Sequence, residues 1–222
     1  MADRRLLVAL SASAGAAMIA AGWLFEGAGY GSDLLLQLGS TFLLLAPVLW
    51  IERLLNRSIR DVQDQVDGLR RQIGPLAETY ERTRQDRESG PRRTTLLEQV
   101  VSDAREKGRA GDHSADEVAR LFKNGTDGER VAALGMMQGA HSLVNVDVIV
   151  NCIAHSRSAF EQWHALLVAL DAWSTFSQDS RSRIIAAIER QTGPGGYIRP
   201  GTDRHGIARG LLALGRSSLS RR

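Results

Sequence analysis

The sequence has a single cysteine, Cys152, among its 222 residues. One cysteine excludes a disulfide framework and any metal site that needs several cysteines. Lysine is almost absent as well, because Lys107 and Lys123 are the only two and arginine supplies the rest of the positive charge. The formal net charge of +3 is too small to require nucleic acid as a partner. With 43% hydrophobic and 24% charged residues, the composition excludes collagen-like, mucin-like and wholly disordered proteins.

Charge is also missing from most of the first fifty residues. Residues 6–25 form an uncharged run, and residues 34–51 form a second one. At a rise of about 1.5 Å per residue, each run is close to the roughly 30 Å thickness of a bilayer hydrocarbon core. The two runs, joined by a short glycine-rich turn, therefore predict a two-span transmembrane hairpin over residues 1–52. Two buried helices of a soluble domain are the alternative.

The arginines around the two runs set the predicted orientation. The turn at 26–33 has no lysine or arginine, whereas five arginines flank the runs: Arg4, Arg5, Arg53, Arg57 and Arg60. The positive-inside rule then predicts a multi-pass protein of a bacterial inner membrane with both termini in the cytoplasm. The residues expected at the membrane interfaces are Trp23, Tyr30 and Trp50. A cleaved signal peptide over residues 1–22 is the alternative, and it leaves the chain after Ile51 in the cytoplasm.

A heptad pattern follows the second run and predicts a coiled-coil stalk over residues 53–81. Apolar residues recur at alternating spacings of four and three, and mostly β-branched a positions with mostly leucine d positions favour a parallel dimer. The predicted dimer seam is Leu55, Ile59, Val62, Val66, Leu69, Ile73, Leu76 and Tyr80. A kink is expected at Gly74–Pro75. The alternative is a single amphipathic helix lying on a globular domain or along the membrane. Residues 82–93 are predicted to be a polar linker.

Residues 94–192 are predicted to form an α-helical domain. Serine or threonine followed three residues later by glutamate is a capping box, which marks the start of a helix. The pattern occurs at Thr95/Glu98, Ser114/Glu117, Thr126/Glu129 and Ser158/Glu161, and Asn145 and Ser177 are further expected helix starts. No segment alternates with a period of two, so a sheet is not expected. Residues 193–222 are predicted to be a Gly/Pro loop, a last helix and a basic tail.

Two helix pairs of this domain are related in sequence. Residues 129–134 match residues 161–166 at an offset of 32, and Ile149 and Ile153 match Ile184 and Ile188 at an offset of 35. A two-helix unit that repeats at this spacing is typical of an α-solenoid. Residues 112–192 thus resemble HEAT-type helical repeats. The resemblance implies a helical stack that presents a surface to a protein partner; a small helical bundle is the alternative.

The expected core of this domain lies on the helix that begins near Ser158. Its apolar residues cover more than one face, which predicts burial on several sides. The predicted core residues are Phe160, Trp163, Leu166, Leu170 and Trp173. Metal-ligating residue types occur near it, at Cys152, His155, Glu161 and His164, but without paired ligand spacing. No metal, cofactor or catalytic residue is therefore predicted, and a buried cysteine with hydrogen-bonded histidines is the ordinary explanation.

These features together predict a non-enzymatic function. The expectation is a membrane-anchored, dimeric cytoplasmic scaffold that docks a protein partner, with avidity from two copies of one weak site. Its predicted partners are the lipid bilayer, a second copy of the chain and an unidentified cytoplasmic protein. The expected docking face comprises residues 140–146 and the loop 193–201. The alternatives are a membrane signalling relay through the stalk and an enzyme that uses Cys152, His155 and His164.

Overall fold

The structure, a computed structural model, describes residues 13, 15–21, 23, 30–86, 88–111 and 113–219. The chain divides into two compact units, Met1–Gln63 and Asp64–Arg222. Within the described ranges all regular secondary structure is helical and no residue lies in a strand. The prediction of an all-α fold is therefore confirmed.

Residues 15–21 are helical, and the helices after them are labelled in chain order. They are α1 (Tyr30–Asp86), α2 (Pro91–Ala110), α3 (Ala115–Asn124), α4 (Asp127–Gly139), α5 (Val146–His155), α6 (Ala159–Asp171), α7 (Gln178–Thr192) and α8 (Asp203–Leu219). Two short 3₁₀ helices, His141–Leu143 and Trp173–Thr175, follow α4 and α6.

The first unit corrects the prediction of a membrane protein. Among the described residues, no helix combines the length and the apolarity that crossing a bilayer requires. The second apolar run, 34–51, is not a separate element, because it lies inside α1, which continues into the charged sequence after it. Much of the first run, 6–25, lies outside the described residues. The predicted transmembrane hairpin, and with it the assignment as a multi-pass inner-membrane protein with cytoplasmic termini, is therefore wrong on this finding.

The predicted membrane-interface residues lose their role with the hairpin. Trp23 is 69% exposed. Tyr30 begins α1 and Trp50 lies within it, and their side chains are outside the part of the chain that the structure describes.

Most helix starts of the second unit follow the local sequence. Complete capping boxes begin α3 and α4, at Ser114/Glu117 and Thr126/Glu129. Asn145 and Ser177 cap α5 and α7, as predicted. The Thr95/Glu98 prediction is wrong, because α2 already begins at Pro91, a residue whose fixed φ and missing N–H suit the first position of a helix.

The predicted stalk differs from the structure beyond residue 64. The helix α1 runs through Gly74–Pro75 without interruption and ends at Asp86, and α2 begins at Pro91. Residues 82–86 and 91–93 of the predicted polar linker 82–93 are therefore helical. Leu69, Ile73 and Tyr80 are buried within the second unit. Val66 and Leu76 are half-buried there. The side chains of the upstream seam residues, Leu55, Ile59 and Val62, are outside the described part.

Ion pairs add to this packing of α1 in the second unit. The Arg70 Nε donates to Glu129 Oε1 over 2.6 Å, and the Arg84 Nη1 donates to Asp127 Oδ2 over 2.7 Å. The last part of α1 therefore belongs to the helical domain through both apolar and charged contacts, which is the alternative of a helix lying on a globular domain. Pairing with a second copy through Leu55, Ile59 and Val62 stays a prediction.

The helices of the second unit pack on neighbours one and two positions along the chain. The helix α5 packs on α6 and α7, α4 packs on α6, and α8 packs on both α6 and α7. The two sequence-matched glutamates occupy the same structural position in this stack. Glu129 Oε2 accepts from the Thr126 N–H over 2.8 Å, and Glu161 Oε2 accepts from the Arg157 N–H over 2.7 Å. Each glutamate also accepts from an arginine of another helix.

Glycine lets α2 and α4 approach at backbone distance. A Cβ at Gly108 would lie 2.4 Å from the Met136 carbonyl oxygen, and one at Gly139 would lie 2.1 Å from the Arg105 carbonyl oxygen. Both distances are far inside van der Waals contact, so no larger residue fits at either position without moving a helix. The two helices are therefore held in contact along two successive turns.

A similar close approach joins α1 to α4, and it yields a prediction. A Cβ at Gly128 would lie 2.4 Å from the Ala77 carbonyl oxygen. Gly128→Ala should therefore lower the free energy of unfolding by about 1–3 kcal/mol, because the backbone of α1 must shift. Gly68→Ala is the matched control, since nothing lies within 4 Å of a Cβ there. That variant should gain about 0.5–1 kcal/mol from helix propensity. Urea unfolding measures both, and equal effects would refute the close packing.

Candidate binding cleft

Helix α6 buries its polar residues and leaves its aromatic residues partly exposed. Glu161 is 1% exposed, and Gln162 and His164 are 0% exposed. Phe160 and Trp163, in the same two turns, are only half-buried. This arrangement reverses the usual preference, in which long polar side chains stay at the surface and aromatic ones go inside. Such an inversion needs dedicated partners for each polar group.

Glu161 is satisfied by a buried ion pair. Its Oε1 accepts from the Arg130 Nε over 2.7 Å and also from Arg130 Nη2. The Arg130 guanidinium lies 3.8 Å from the centre of the Phe122 ring, a cation–π distance. Ser158 caps the helix by accepting from the Glu161 N–H, while the Glu161 carboxylate binds the arginine and the Arg157 N–H instead of closing a capping box. This pair fixes the first turn of α6.

Gln162 and His164 are held by neighbouring helices. The Gln162 amide donates to the Ile153 carbonyl oxygen over 2.8 Å and its Oε1 accepts from Arg204 Nη1. The Gln138 Nε2 lies 3.0 Å from His164 Nδ1. The Phe160 and Trp163 rings both meet the His164 ring edge-on, at centroid distances of 4.5 and 4.9 Å. The buried polar groups thus support the two aromatic side chains from behind.

The aromatic pair lines a cleft of about 280 Å³. We call it the aromatic cleft. Three segments that are far apart in the sequence form it: the first turns of α2, the start of α6, and the start of α8. Its lining residues are Thr94, Glu98, Ala159, Phe160, Trp163, Thr202, Asp203 and Arg204. The volume is near the lower end of known small-ligand pockets, which suits a single side chain better than a large cofactor.

The α2 side of the aromatic cleft carries a carboxylate, and the α8 side carries both a carboxylate and a guanidinium. Glu98 on α2 faces the cleft, and its Oε1 lies 3.4 Å from His164 Nε2. Arg204 lies on the other side, at the start of α8. Partial burial lowers the pKa of the Arg204 guanidinium, and the positive charge of Arg199 lowers it further. Within the described residues no acidic group pairs with this arginine through a salt bridge.

The predicted core residues divide between the core and the cleft. Leu166 and Trp173 are buried in the main hydrophobic cluster, and Leu170 packs against that cluster while half-buried. Phe160 and Trp163 line the cleft, and Phe160 also packs, half-buried, against a second hydrophobic cluster. Trp163 is therefore a surface-accessible aromatic residue and not the centre of the domain.

The residues of the Cys/His cluster do not come together as a ligand set. Cys152 is buried and its thiol contacts the Glu161 carboxylate at 3.5 Å. Burial raises the pKa of this thiol well above its ordinary value, so it stays protonated at neutral pH. His155 is exposed at the end of α5, and His164 faces Gln138 and Glu98. Among the described residues there is no group of three or more ligand-type side chains placed to hold a metal ion.

The chain matches no family model, no curated protein and no solved structure.

The two segments expected to form the docking face do not line the aromatic cleft. Residues 140–146 form the short connection that contains the 3₁₀ helix after α4. The loop 193–201 folds back on α7, where the Ile198 N–H donates to the Gln191 carbonyl oxygen over 3.0 Å. Tyr197 in this loop is 69% exposed. The loop leads directly into Thr202, Asp203 and Arg204 of the cleft.

Sequence reasoning missed Glu98 and Arg204 as site residues. The sequence predicts Glu98 as part of the capping box Thr95/Glu98 and places Arg204 in the C-terminal segment 193–222. One signal could have found the site, namely the sequence Glu161-Gln-Trp-His164, in which three polar residues surround one tryptophan on a helix. Three such residues cannot all face solvent on a helix packed by neighbours on several sides.

Proposed function

We propose that this chain is a non-enzymatic docking protein, whose helical domain receives a protein partner in the aromatic cleft. The observation that carries the proposal is the inverted burial on α6, where Phe160 and Trp163 remain accessible above buried Glu161, Gln162 and His164. Half-exposed aromatic residues in a pocket are the usual anchors of protein interfaces. A rigid support behind them keeps the pocket formed before a partner arrives, which lowers the cost of binding.

The helical-repeat character of the domain supports the same proposal. Glu129 and Glu161, which are 32 residues apart, are each the third residue of a helix, and each accepts from a backbone N–H at the helix start and from an arginine of another helix. The helices pack within the pairs α3–α4, α5–α6 and α7–α8, and each helix from α2 to α6 also packs on the helix two positions along, which supports a HEAT-like stack of helix pairs. Repeat stacks of this kind offer extended surfaces for other proteins.

The experiment is affinity capture with the full chain, using two aromatic variants. Trp163→Ala should weaken the affinity for the partner at least about thirtyfold, because a tryptophan anchor is worth about 2 kcal/mol or more. Tyr197→Ala is the matched control, since it removes an exposed aromatic residue from the loop 193–201, outside the cleft. Far-UV circular dichroism checks that both variants keep the helical fold.

The result would contradict the proposal in either of two ways. Partner capture that survives Trp163→Ala would exclude the aromatic cleft as the docking site. Capture that is lost only with Tyr197→Ala would place the docking face on the loop 193–201.

A further inference from the structure

The hydrogen bonds behind the aromatic cleft define the protonation of His164. Arg105 Nη2 donates to Gln138 Oε1, and because arginine only donates, this contact fixes the orientation of the Gln138 amide. The amide nitrogen therefore faces His164, where it lies 3.0 Å from Nδ1 and 3.3 Å from the backbone oxygen. Since an amide nitrogen is a donor, Nδ1 accepts, and the neutral imidazole carries its proton on Nε2.

In this tautomer His164 supplies no positive charge to the neighbouring Glu98 carboxylate. His164 Nε2 lies 3.4 Å from Glu98 Oε1, and within the described residues it has no hydrogen-bond partner. The group behind the carboxylate is therefore a neutral N–H and not a cation. The Glu98 side chain is 37% exposed, so its negative charge is available at the cleft surface.

The charges of the lining favour a cationic occupant. Two carboxylates, Glu98 and Asp203, face one guanidinium, that of Arg204. Arg204 keeps its positive charge while its Nη1 donates to the neutral Gln162 side chain, so the charged groups of the lining together carry a net negative charge. The aromatic rings of Phe160 and Trp163 add an attraction of the same sign, since the faces of aromatic rings attract cations.

We propose that the aromatic cleft binds an arginine side chain of the docked partner, an inference that rests on the proposed docking function. A planar guanidinium stacks on an aromatic ring and donates two parallel hydrogen bonds to one carboxylate. Trp163 and Glu98, on neighbouring walls, supply these two contacts. The cleft volume of about 280 Å³ accommodates one such side chain.

The test uses small probes on the full chain labelled with ¹⁵N at its four tryptophan indoles. The probes are the N-acetyl methylamides of arginine, of citrulline as the neutral isostere, and of glutamate. The Trp163 resonance is assigned by its absence from the Trp163→Phe spectrum. We expect the arginine probe to shift this resonance saturably at millimolar concentration. The citrulline probe should bind at least about tenfold more weakly, because a charge-assisted hydrogen bond is lost.

Two variants on α2 test the part played by Glu98. Glu98→Gln keeps the shape of the side chain and removes its charge, so it should weaken the arginine probe at least about tenfold. Glu106→Gln is the matched control, because Glu106 is exposed on the same helix and does not line the cleft. That variant should bind the probe as the original chain does.

Each contrary outcome has a distinct meaning. Equal binding of arginine and citrulline, stronger binding of the glutamate probe, or no binding of any probe would overturn the arginine proposal. In each of these cases, partner capture that still depends on Trp163 would leave the docking function standing. Capture that does not depend on Trp163 would exclude the aromatic cleft as the docking site.

Discussion

Replacing Glu161 with alanine is expected to lower the free energy of unfolding by about 3–5 kcal/mol, the range for breaking a buried ion pair. Glu161 is 1% exposed and accepts hydrogen bonds from Arg130 and from the Arg157 N–H. Without it, the Arg130 guanidinium, which is also buried, has lost its only ion-pair partner among the described residues. Urea unfolding followed by circular dichroism measures the change.

Two further variants sharpen this expectation. Glu189→Ala removes an exposed glutamate of α7 and should stay within about 0.5 kcal/mol of the original chain. Joint replacement, Arg130→Met with Glu161→Leu, should recover most of the lost stability, because no buried charge is then left unpaired. A loss below about 1 kcal/mol for Glu161→Ala would show that water reaches the pair and that α6 is not supported as described.

Leu69→Asp is expected to have the second large effect. Leu69 is 2% exposed in the main hydrophobic cluster of the second unit. An aspartate there would bury an unpaired charge, and we expect a loss of about 4 kcal/mol or more in the free energy of unfolding. A coiled-coil seam would behave differently, because a substitution there separates two chains and leaves each domain folded.

Sedimentation velocity and thermal unfolding of the same samples separate the two cases. Gln65→Asp, one turn earlier on an exposed position of α1, is the control and should leave both measurements unchanged. A Leu69→Asp chain that keeps its melting temperature but changes from dimer to monomer would contradict the burial of Leu69 in its own domain. It would support the predicted coiled-coil dimer seam instead. Unfolding of the Leu69→Asp chain, whether the original chain is a monomer or a dimer, would support the packing of Leu69 within the second unit.

The helix starts could be predicted because their causes are local. Ser114 and Thr126 cap helices through glutamates three residues away, so the information lies within one turn. The failure at Thr95 is also local, because the preceding Pro91 competes for the start of α2. The all-α fold followed from such signals, and the absence of strand alternation agreed with them.

The packing of α1 could not be predicted in the same way. An apolar stripe shows that a helix face is covered, but a heptad spacing does not show whether a second chain or the same chain covers it. Leu69, Ile73 and Tyr80 satisfy the pattern of a dimer seam and are buried in their own domain. The distinction depends on contacts with residues about sixty positions later, such as Arg70 with Glu129.

The aromatic cleft lacks a sequence motif for a related reason. Its walls come from residues 94–98, 159–163 and 202–204, so no short segment contains the site. Phe160 and Trp163 fit the apolar pattern of a core. Only the burial of their polar neighbours on α6 shows that these two side chains line a cleft. The tautomer of His164 in turn depends on Arg105 and Gln138, which belong to two other helices.

The close backbone contacts at Gly108 and Gly139 bear on which wall of the aromatic cleft can move when a ligand binds. Helix α2 carries Glu98. Because no side chain separates α2 from α4 at these two points, we expect α2 to resist rotation and sliding against α4. The segment 202–204 is different, since it follows an exposed loop that bends at Gly195 and Gly201, both with positive φ. A larger side chain in the cleft is therefore expected to displace the segment 202–204, which carries Arg204, while α2 and Glu98 stay in place.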